Sequence, residues 1–532
     1  MKTILRICAV WLAPIIGALA FTAPATAGQL KLQNTSGQPI TCTVDGWTVA
    51  TGYAFDWQIA VQPGETFYVG QNTLRVLPDG QLPTIDWASC GGLTTRLMNI
   101  TAAGPDGLLV LTGAQTRVLN AALYPYLPTL PGDQFEALVA HVIDTYQAAN
   151  PQVLLSAQLN MATDIYSFTN LPVLLGAGGL DVVELDTLYL AFLAQSGLIN
   201  PAQIVGEQPL PVALAAATVD QQLWGVPSWL CMDFLYATDP GVQQITSLAG
   251  LLPYLNSLAP VGGPKLIADY NGSWRLPSIY INGYVQNHGY GQIAQALQMP
   301  PDPEVIANLV ALTDTCAYGG GNNCTNGANH SAENAQNGAI ETIFANGDAS
   351  TELAFSEQSF FMKSANPALN LYVAPGVWGQ GPQPLLFSDV FVSSAATCPP
   401  QSPCAADATA FTSLMTGLDM KNYIVQARDL PQGTPWRTLL VPLPSFYEQG
   451  VVQANPLYPQ YARIFGAAEP FPNSFTAALQ TEMAFAVCAA LKAAQPAYVC
   501  KTGAANDNQA LPADEVAPAQ DAAPARRKGG RS

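Results

Sequence analysis

Leu180-Asp181-Val182-Val183-Glu184-Leu185, ending in Asp186, is the stretch on which the fold turns. It is apolar enough for a buried strand, and a helix follows it through Leu190 and Leu193 and stops at Gly197 and Pro201. The same alternation lies upstream. Residues 118–123 read as a strand, and residues 132–149 read as a helix, because Phe135, Leu138, Val139, Val142 and Ile143 share one face. Residues 153–159 read as the next strand. Strands alternating with amphipathic helices from Arg117 onward predict α/β architecture. Downstream, within 223–236, Gly225-Val226-Pro227 makes a turn, and the apolar-aromatic run 229–236 that follows reads as one strand with Cys231 inside it or at its mouth. Further helices are expected over 303–318, 332–345, 406–420 and 475–491.

The flanks differ in texture. Residues 28–116 carry short alternating runs such as Thr41-Cys42-Thr43-Val44 and Phe67-Tyr68-Val69, broken by Gly and Pro turns, which predicts a small β-rich domain of open role. Residues 502–532 are rich in Ala, Pro and Asp and read as a disordered tail. Gly319, Gly320 and Gly321 lack the Lys-Ser/Thr of a phosphate loop and read as a turn near a disulfide. With 532 residues, the chain is too long for a single core, so at least two domains are expected.

Lys2 and Arg6, the apolar run 7–21, and Ala25-Thr26-Ala27 before Gly28 read as a secretory signal peptide over 1–27. The longest later apolar candidate, 171–199, is interrupted by Asp181, Glu184 and Asp186, so no transmembrane segment is expected after the signal. The expected location is outside the cytoplasm, periplasmic or secreted. A formal net charge of -18 disfavours nucleic acid and anionic membranes and fits a neutral or cationic ligand.

Ten cysteines in an exported chain point to disulfides, and Cys8 leaves with the signal. Pairing nearest neighbours joins Cys42 to Cys90, Cys316 to Cys324, Cys398 to Cys404 and Cys488 to Cys500, although spacing does not fix connectivity. Cys231 is then left over. It is either a buried, inert thiol or a reactive one. The chain has three histidines, His141, His288 and His330, which gives little support to a serine triad or a histidine-rich metal site, and no metal or cofactor is expected. A nucleophilic cysteine here would need another base, and a carboxylate raised by partial burial can serve.

Three segments, taken in order, resemble the bacterial thiamine pyridinylases, or thiaminase I: Ala121-Ala122-Leu123-Tyr124-Pro125-Tyr126, residues 181–190, and Gly225-Val226-Pro227-Ser228-Trp229-Leu230-Cys231. The resemblance runs over about 117–491 within an expected catalytic domain of 117–501 and leaves 28–116 unmatched. It implies a two-lobed, group II periplasmic-binding-protein-like fold with a central cleft. It further implies Cys231 as nucleophile, Glu357 as its base, and Asp389 and Asp186 as acids that bind the aminopyrimidine. Tyr124 and Tyr126 are implied to stack on the ring or to hydrogen-bond to it. The implied reaction cleaves thiamine at its methylene bridge and transfers the pyrimidinylmethyl group to an organic base or thiol.

Each residue also has a plainer reading. Tyr124 and Tyr126 could pack a strand end, Asp186 could cap the helix starting at Thr187, Asp389 could be a turn acid, and Glu357 an ordinary exposed residue. Two rival functions share the fold: an exported solute-binding protein for thiamine or a related small molecule, and an envelope adhesin with an inactive cleft.

Overall fold

The computed structural model describes residues 30–47, 54–69, 84–100, 107–159, 165, 167–176, 179–259, 261–270, 274–324, 338–496 and 498–499. The expected signal peptide, the tail, Cys8, Cys500 and His330 lie outside the described residues.

Seven strands come first: β1 (Leu30–Asn34), β2 (Ile40–Trp47), β3 (Ala54–Val61), β4 (Thr66–Val69), β5 (Thr84–Cys90), β6 (Leu93–Ile100) and β7 (Gly107–Leu111). They form a three-stranded sheet, β4-β1-β7, and a four-stranded sheet, β3-β2-β5-β6. Their shared core holds Leu30, Leu32, Cys42, Val44 and Cys90, and it is completed by Leu154, with Val118 packed against it, both from outside these strands. Polar contacts reinforce the docking: the Arg96 amide donates to Asn120 Oδ1 at 2.9 Å, and Gln158 Nε2 donates to the Arg96 carbonyl at 2.9 Å.

Two further sheets follow. The first contains β8 (Arg117–Ala122), β9 (Val153–Gln158), β10 (Val182–Asp186), β11 (Val226–Cys231) and β16 (Leu385–Ser393), in the order β11-β16-β10-β8-β9. Strands β9, β8 and β10 run parallel, and β16 lies antiparallel between β10 and β11. The second sheet has the order β13-β14-β12-β15, from β12 (Asp233–Ala237), β13 (Leu266–Ala268), β14 (Thr351–Phe355) and β15 (Tyr372–Pro375). Helix α1 (Glu136–Ala149) packs on β9 through residues that include Leu138, Val139, Val142 and Ile143. The strands at 28–116 lie on the opposite side of β9, where Ser156 and Gln158 face them, so they take the place that a second helix layer would occupy.

Several expectations are corrected here. Residues 229–236 are not one strand: β11 ends at Cys231, β12 starts at Asp233, and the two belong to different sheets. A fully buried run shows no alternation, so the sequence carried no mark of the change of sheet at Met232. Helix α1 starts at Glu136 rather than 132, because Phe135 sits in the left-handed region at φ 58°. The helix expected over 406–420 is two, one at Pro403–Thr416, capped by Ser402 with Pro403 in its first turn, and one at Leu418–Val425. Of 332–345, the described helix is Ala339–Ala345. The 14-residue helix Arg275–His288 is buried along nearly its whole length, its polar residues Arg275, Ser278, Asn282 and Gln286 included, so polarity in the sequence does not mark an outer face.

The disulfides Cys42–Cys90, Cys316–Cys324 and Cys398–Cys404 are present. Cys488 is disulfide-bonded as well. Gly319 and Gly320, both with positive φ, turn the chain inside the Cys316–Cys324 loop. Helix Ala477–Ala494 is long and apolar enough to cross a membrane. It packs one face, through Met483, Val487, Cys488 and Leu491, along Arg275–His288 and Pro303–Thr315, and leaves the other, including Phe485, exposed.

Candidate active site

Strand register assembles the first wall of the site. Asp186 on β10 and Trp229 on β11 each pair with Asp389 on β16, and Cys231 pairs with Phe387. Directly opposed residues in antiparallel strands project to the same side, so Glu184, Asp186, Trp229, Asp389 and Cys231 share a face. Gly225, just before β11, lets the backbone approach β16 closely: a Cβ there would lie 2.6 Å from Val390 Cβ. Tyr124 and Tyr126 sit just beyond β8, with their rings edge to face at 5.8 Å.

The second wall belongs to the other sheet. Asp233, two residues after Cys231, pairs with Phe355 at the end of β14, and Glu357 follows in the short 3-10 turn Ser356–Gln358. The register pair therefore carries the nucleophile candidate and the base candidate to the same place. Asp233 is fixed by a bidentate ion pair with Arg275, at 2.7 and 3.1 Å. The turn that holds Glu357 is pinned through its carbonyls: the Ser356 oxygen accepts from Thr438 Oγ1 at 3.0 Å, and the Phe355 oxygen from the Tyr236 hydroxyl at 3.2 Å. Gly376 lies against Asp233, where a Cβ would come within 2.7 Å of its carbonyl oxygen.

Cys231 is the free cysteine among the described residues, and it is 7% exposed. Its thiol is hydrogen-bonded to Glu357 and to Tyr124. Burial pushes the thiol well above its ordinary pKa, and the nearby acids Glu357, Asp389 and Asp186 push it the same way, while the Tyr124 hydrogen bond opposes them. The resting thiol is therefore protonated. Burial raises Glu357 to about 7, countered by hydrogen bonds from its own backbone, Ser356 and Cys231. Burial also raises Asp186, against the hydrogen bond it accepts from the Leu188 amide.

The plainer readings can be judged residue by residue. Glu357 and Asp389 are both buried, so neither is an ordinary surface acid, and Asp389 lies within a strand rather than a turn. Asp186 does cap: its Oδ1 accepts from Leu188 N at 2.8 Å at the start of Thr187–Tyr189. Its second oxygen leaves a further acceptor on the shared face. The structure brings Cys231, Glu357, Tyr124, Asp389 and Asp186 together.

Sequence reasoning missed a buried group behind this wall. Lys421, on Leu418–Val425, is fully buried, donates to Ser228 Oγ at 2.8 Å and lies 3.4 Å from the Trp229 ring centroid. Ser228 donates to Glu184 Oε1, and Glu184 Oε2 accepts the Tyr124 amide at 2.8 Å. A lysine just after Met420 and ahead of Ile424 and Val425 was the available signal. Elsewhere, Asp181, Cys398 and Cys404 cluster as metal ligands would, but the two sulfurs are bonded to each other.

No family model matches the chain. Thiaminase-1 of Paenibacillus thiaminolyticus is 24% identical over 362 residues, spanning 65% of this chain and 80% of that protein. The solved thiaminase I from Bacillus thiaminolyticus superposes with a TM-score of 0.55 at 20% identity, over 70% of this chain and 99% of its own. The chain resembles thiaminase I and shares its fold. Clostridium botulinum thiaminase I, solved in complex with thiamin, matches the same thiaminase I fold with a TM-score of 0.56 at 18% identity, covering 71% of this chain and 99% of its own. The maltose-maltodextrin binding protein of Alicyclobacillus acidocaldarius matches at 0.50 and 14% identity, over 71% and 96%, so the thiaminase I fold seen here is of the group II periplasmic-binding-protein kind.

Proposed function

We propose that the chain is a thiaminase I-like transferase that cleaves thiamine at its methylene bridge and passes the pyrimidinylmethyl group to an amine or thiol. The observation that carries this reading is the Cys231 thiol hydrogen-bonded to Glu357 and Tyr124 on a buried face that also bears Asp389 and Asp186.

In this reading Glu357 takes the thiol proton as sulfur adds to C6 of the pyrimidine. The buried, protonated thiol makes this transfer unfavourable in the empty site. The cationic thiazolium of the incoming substrate offsets that cost by bringing a positive charge among the carboxylates. The added electron pair is pushed toward the bridge, the methylene carbon–nitrogen bond breaks, and the thiazole leaves with that bonding pair as a neutral molecule. The acceptor then attacks the methylene carbon, an acceptor with an N–H or S–H losing that proton to solvent and pyridine remaining as a pyridinium, the carbon–sulfur bond breaks, and Cys231 recovers a proton from Glu357. Asp389 and Asp186 accept from the aminopyrimidine and stabilise charge that grows on the ring. The acidity of the chain favours a cationic substrate. The disulfides favour a location outside the cytoplasm.

The test is incubation of purified protein with thiamine plus aniline or pyridine, scored by released thiazole. Cys231→Ser and Glu357→Gln are each expected to lower turnover by roughly a thousandfold or more with the fold intact by circular dichroism. Because Glu357 must be ionised to act, kcat/KM is expected to rise as pH passes through about 7. Wild-type protein that binds thiamine and releases no thiazole would instead be a solute-binding protein.

A further inference from the structure

We propose that Lys421, Ser228 and Glu184 form a buried clamp that positions Tyr124 against the Cys231 thiol. The clamp joins four parts of the first lobe: helix Leu418–Val425, strand β11, strand β10 and the turn after β8. Its connections run in series. The Lys421 ammonium donates to Ser228 Oγ at 2.8 Å, Ser228 donates to one oxygen of Glu184, and the other oxygen accepts the Tyr124 amide at 2.8 Å. The Tyr124 side chain in turn hydrogen-bonds the thiol.

Stability alone is a poor reason for such an arrangement. Two ionisable groups this deeply buried are costly, and well-packed apolar residues of similar volume usually serve the core as well or better. What an apolar replacement cannot supply is an acceptor aimed at one particular main-chain N–H. That N–H belongs to the residue in contact with the nucleophile. Burial lowers Lys421 and raises Glu184, and the charge of each pulls the other back toward its ionised form. Lys421 also acts electrostatically on Asp389, and the acids near the thiol are Glu357, Asp389 and Asp186. Glu184, Ser228 and Lys421 are thus positioning residues, acting through Tyr124.

The inference rests on the reading above for its turnover measurement and is independent of it for its thiol measurement. Two charge-matched double variants separate position from packing: Lys421→Met with Glu184→Gln, which keeps the acceptor for the Tyr124 amide, and Lys421→Met with Glu184→Met, which removes it. Each is assayed for thiamine turnover and for the pH midpoint of Cys231 alkylation by iodoacetamide. The glutamine variant is expected to hold kcat within about threefold of wild type. The methionine variant is expected to lose about a hundredfold in kcat with KM little changed, the scale of a 1 Å misplacement. Its alkylation midpoint is expected to move up, because the Tyr124 hydrogen bond favours the thiolate. Ser228→Ala, which keeps the fold's volume, is expected to shift both readings the same way by a smaller amount, and it serves should the methionine variant not fold. Equal kcat and equal midpoints in the two double variants, or in Ser228→Ala and wild type should that variant replace them, would overturn the clamp. Midpoints that separate in a protein with no thiamine turnover would uphold the clamp and reject thiamine as substrate.

Discussion

The two lobes bury acids under opposite conditions. In the first, Glu184 shares its burial with Lys421, reached through Ser228, and with the Tyr124 amide. In the second, Glu341 and Glu352 are both buried; the charge of Glu341 acts on Glu352, and those of Asp269 and Glu357 act on Glu341. Burial raises all three, and Lys421 pulls Glu184 back down. The difference teaches that a buried carboxyl's state follows its company more than its depth. Glu184 accepts a hydrogen bond at each oxygen and has Lys421 favouring its ionised form, whereas burial and neighbouring acids both favour the protonated form of Glu341 and Glu352. Glu357 lies between these regimes, buried but hydrogen-bonded, and so falls near 7, where a base is useful.

The strongest way to break this contrast is Lys421→Met alone. It strands Glu184 without its cation, and a loss of about 3–5 kcal/mol in unfolding free energy is expected in denaturant titration at neutral pH. A loss no larger than that of an ordinary surface substitution would put Glu184 and Glu352 in the same class.

Next in size is a pH effect in the second lobe. The folded-state pKa values of Glu341 and Glu352 are raised, so the unfolded chain releases these protons first as pH climbs above the usual glutamate range. Stability is then lost with rising pH until the folded-state pKa is passed. Glu352→Gln is expected to flatten this fall, recovering on the order of 2 kcal/mol at pH 8 and almost nothing at pH 4. Calorimetry across pH 4–8 measures it.

The smallest effect belongs to a pair whose cation is partly exposed and whose acid, Asp407, is buried. Arg117, 38% exposed at its side chain, makes two hydrogen bonds to Asp407, at 2.8 and 3.0 Å. Water already solvates the guanidinium, so Asp407→Asn is expected to cost about 1 kcal/mol or less by the same titration.

What the sequence made legible follows from range. Strands and helices close to Asp186 could be read because their periods and stop signals are local, and the three described disulfides joined near neighbours. Cys231 stood out by counting, and Glu357, Asp389 and the tyrosines by resemblance. Their contact depends on the Asp233–Phe355 register, a relation between residues far apart in the chain that no local pattern encodes. The clamp was invisible for the same reason: Lys421 reads as one polar residue in an apolar helix until the helix is laid on β11. The seven N-terminal strands read as a separate appendage, because nothing local in residues 28–116 announces that Leu154 completes their core.

The break at Met232 gives the thiol a mechanical position as well as a chemical one. Cys231 ends a strand of one sheet and Asp233 begins a strand of the other, so the proposed nucleophile sits beside a joint between the lobes. About any pivot, the arc a point sweeps grows with its radius. Were the lobes to turn about this joint, the sulfur would stay nearly still while the far edges of the cleft travelled, and a ring held by Asp389, Asp186 and the tyrosines would meet a nucleophile that had barely moved.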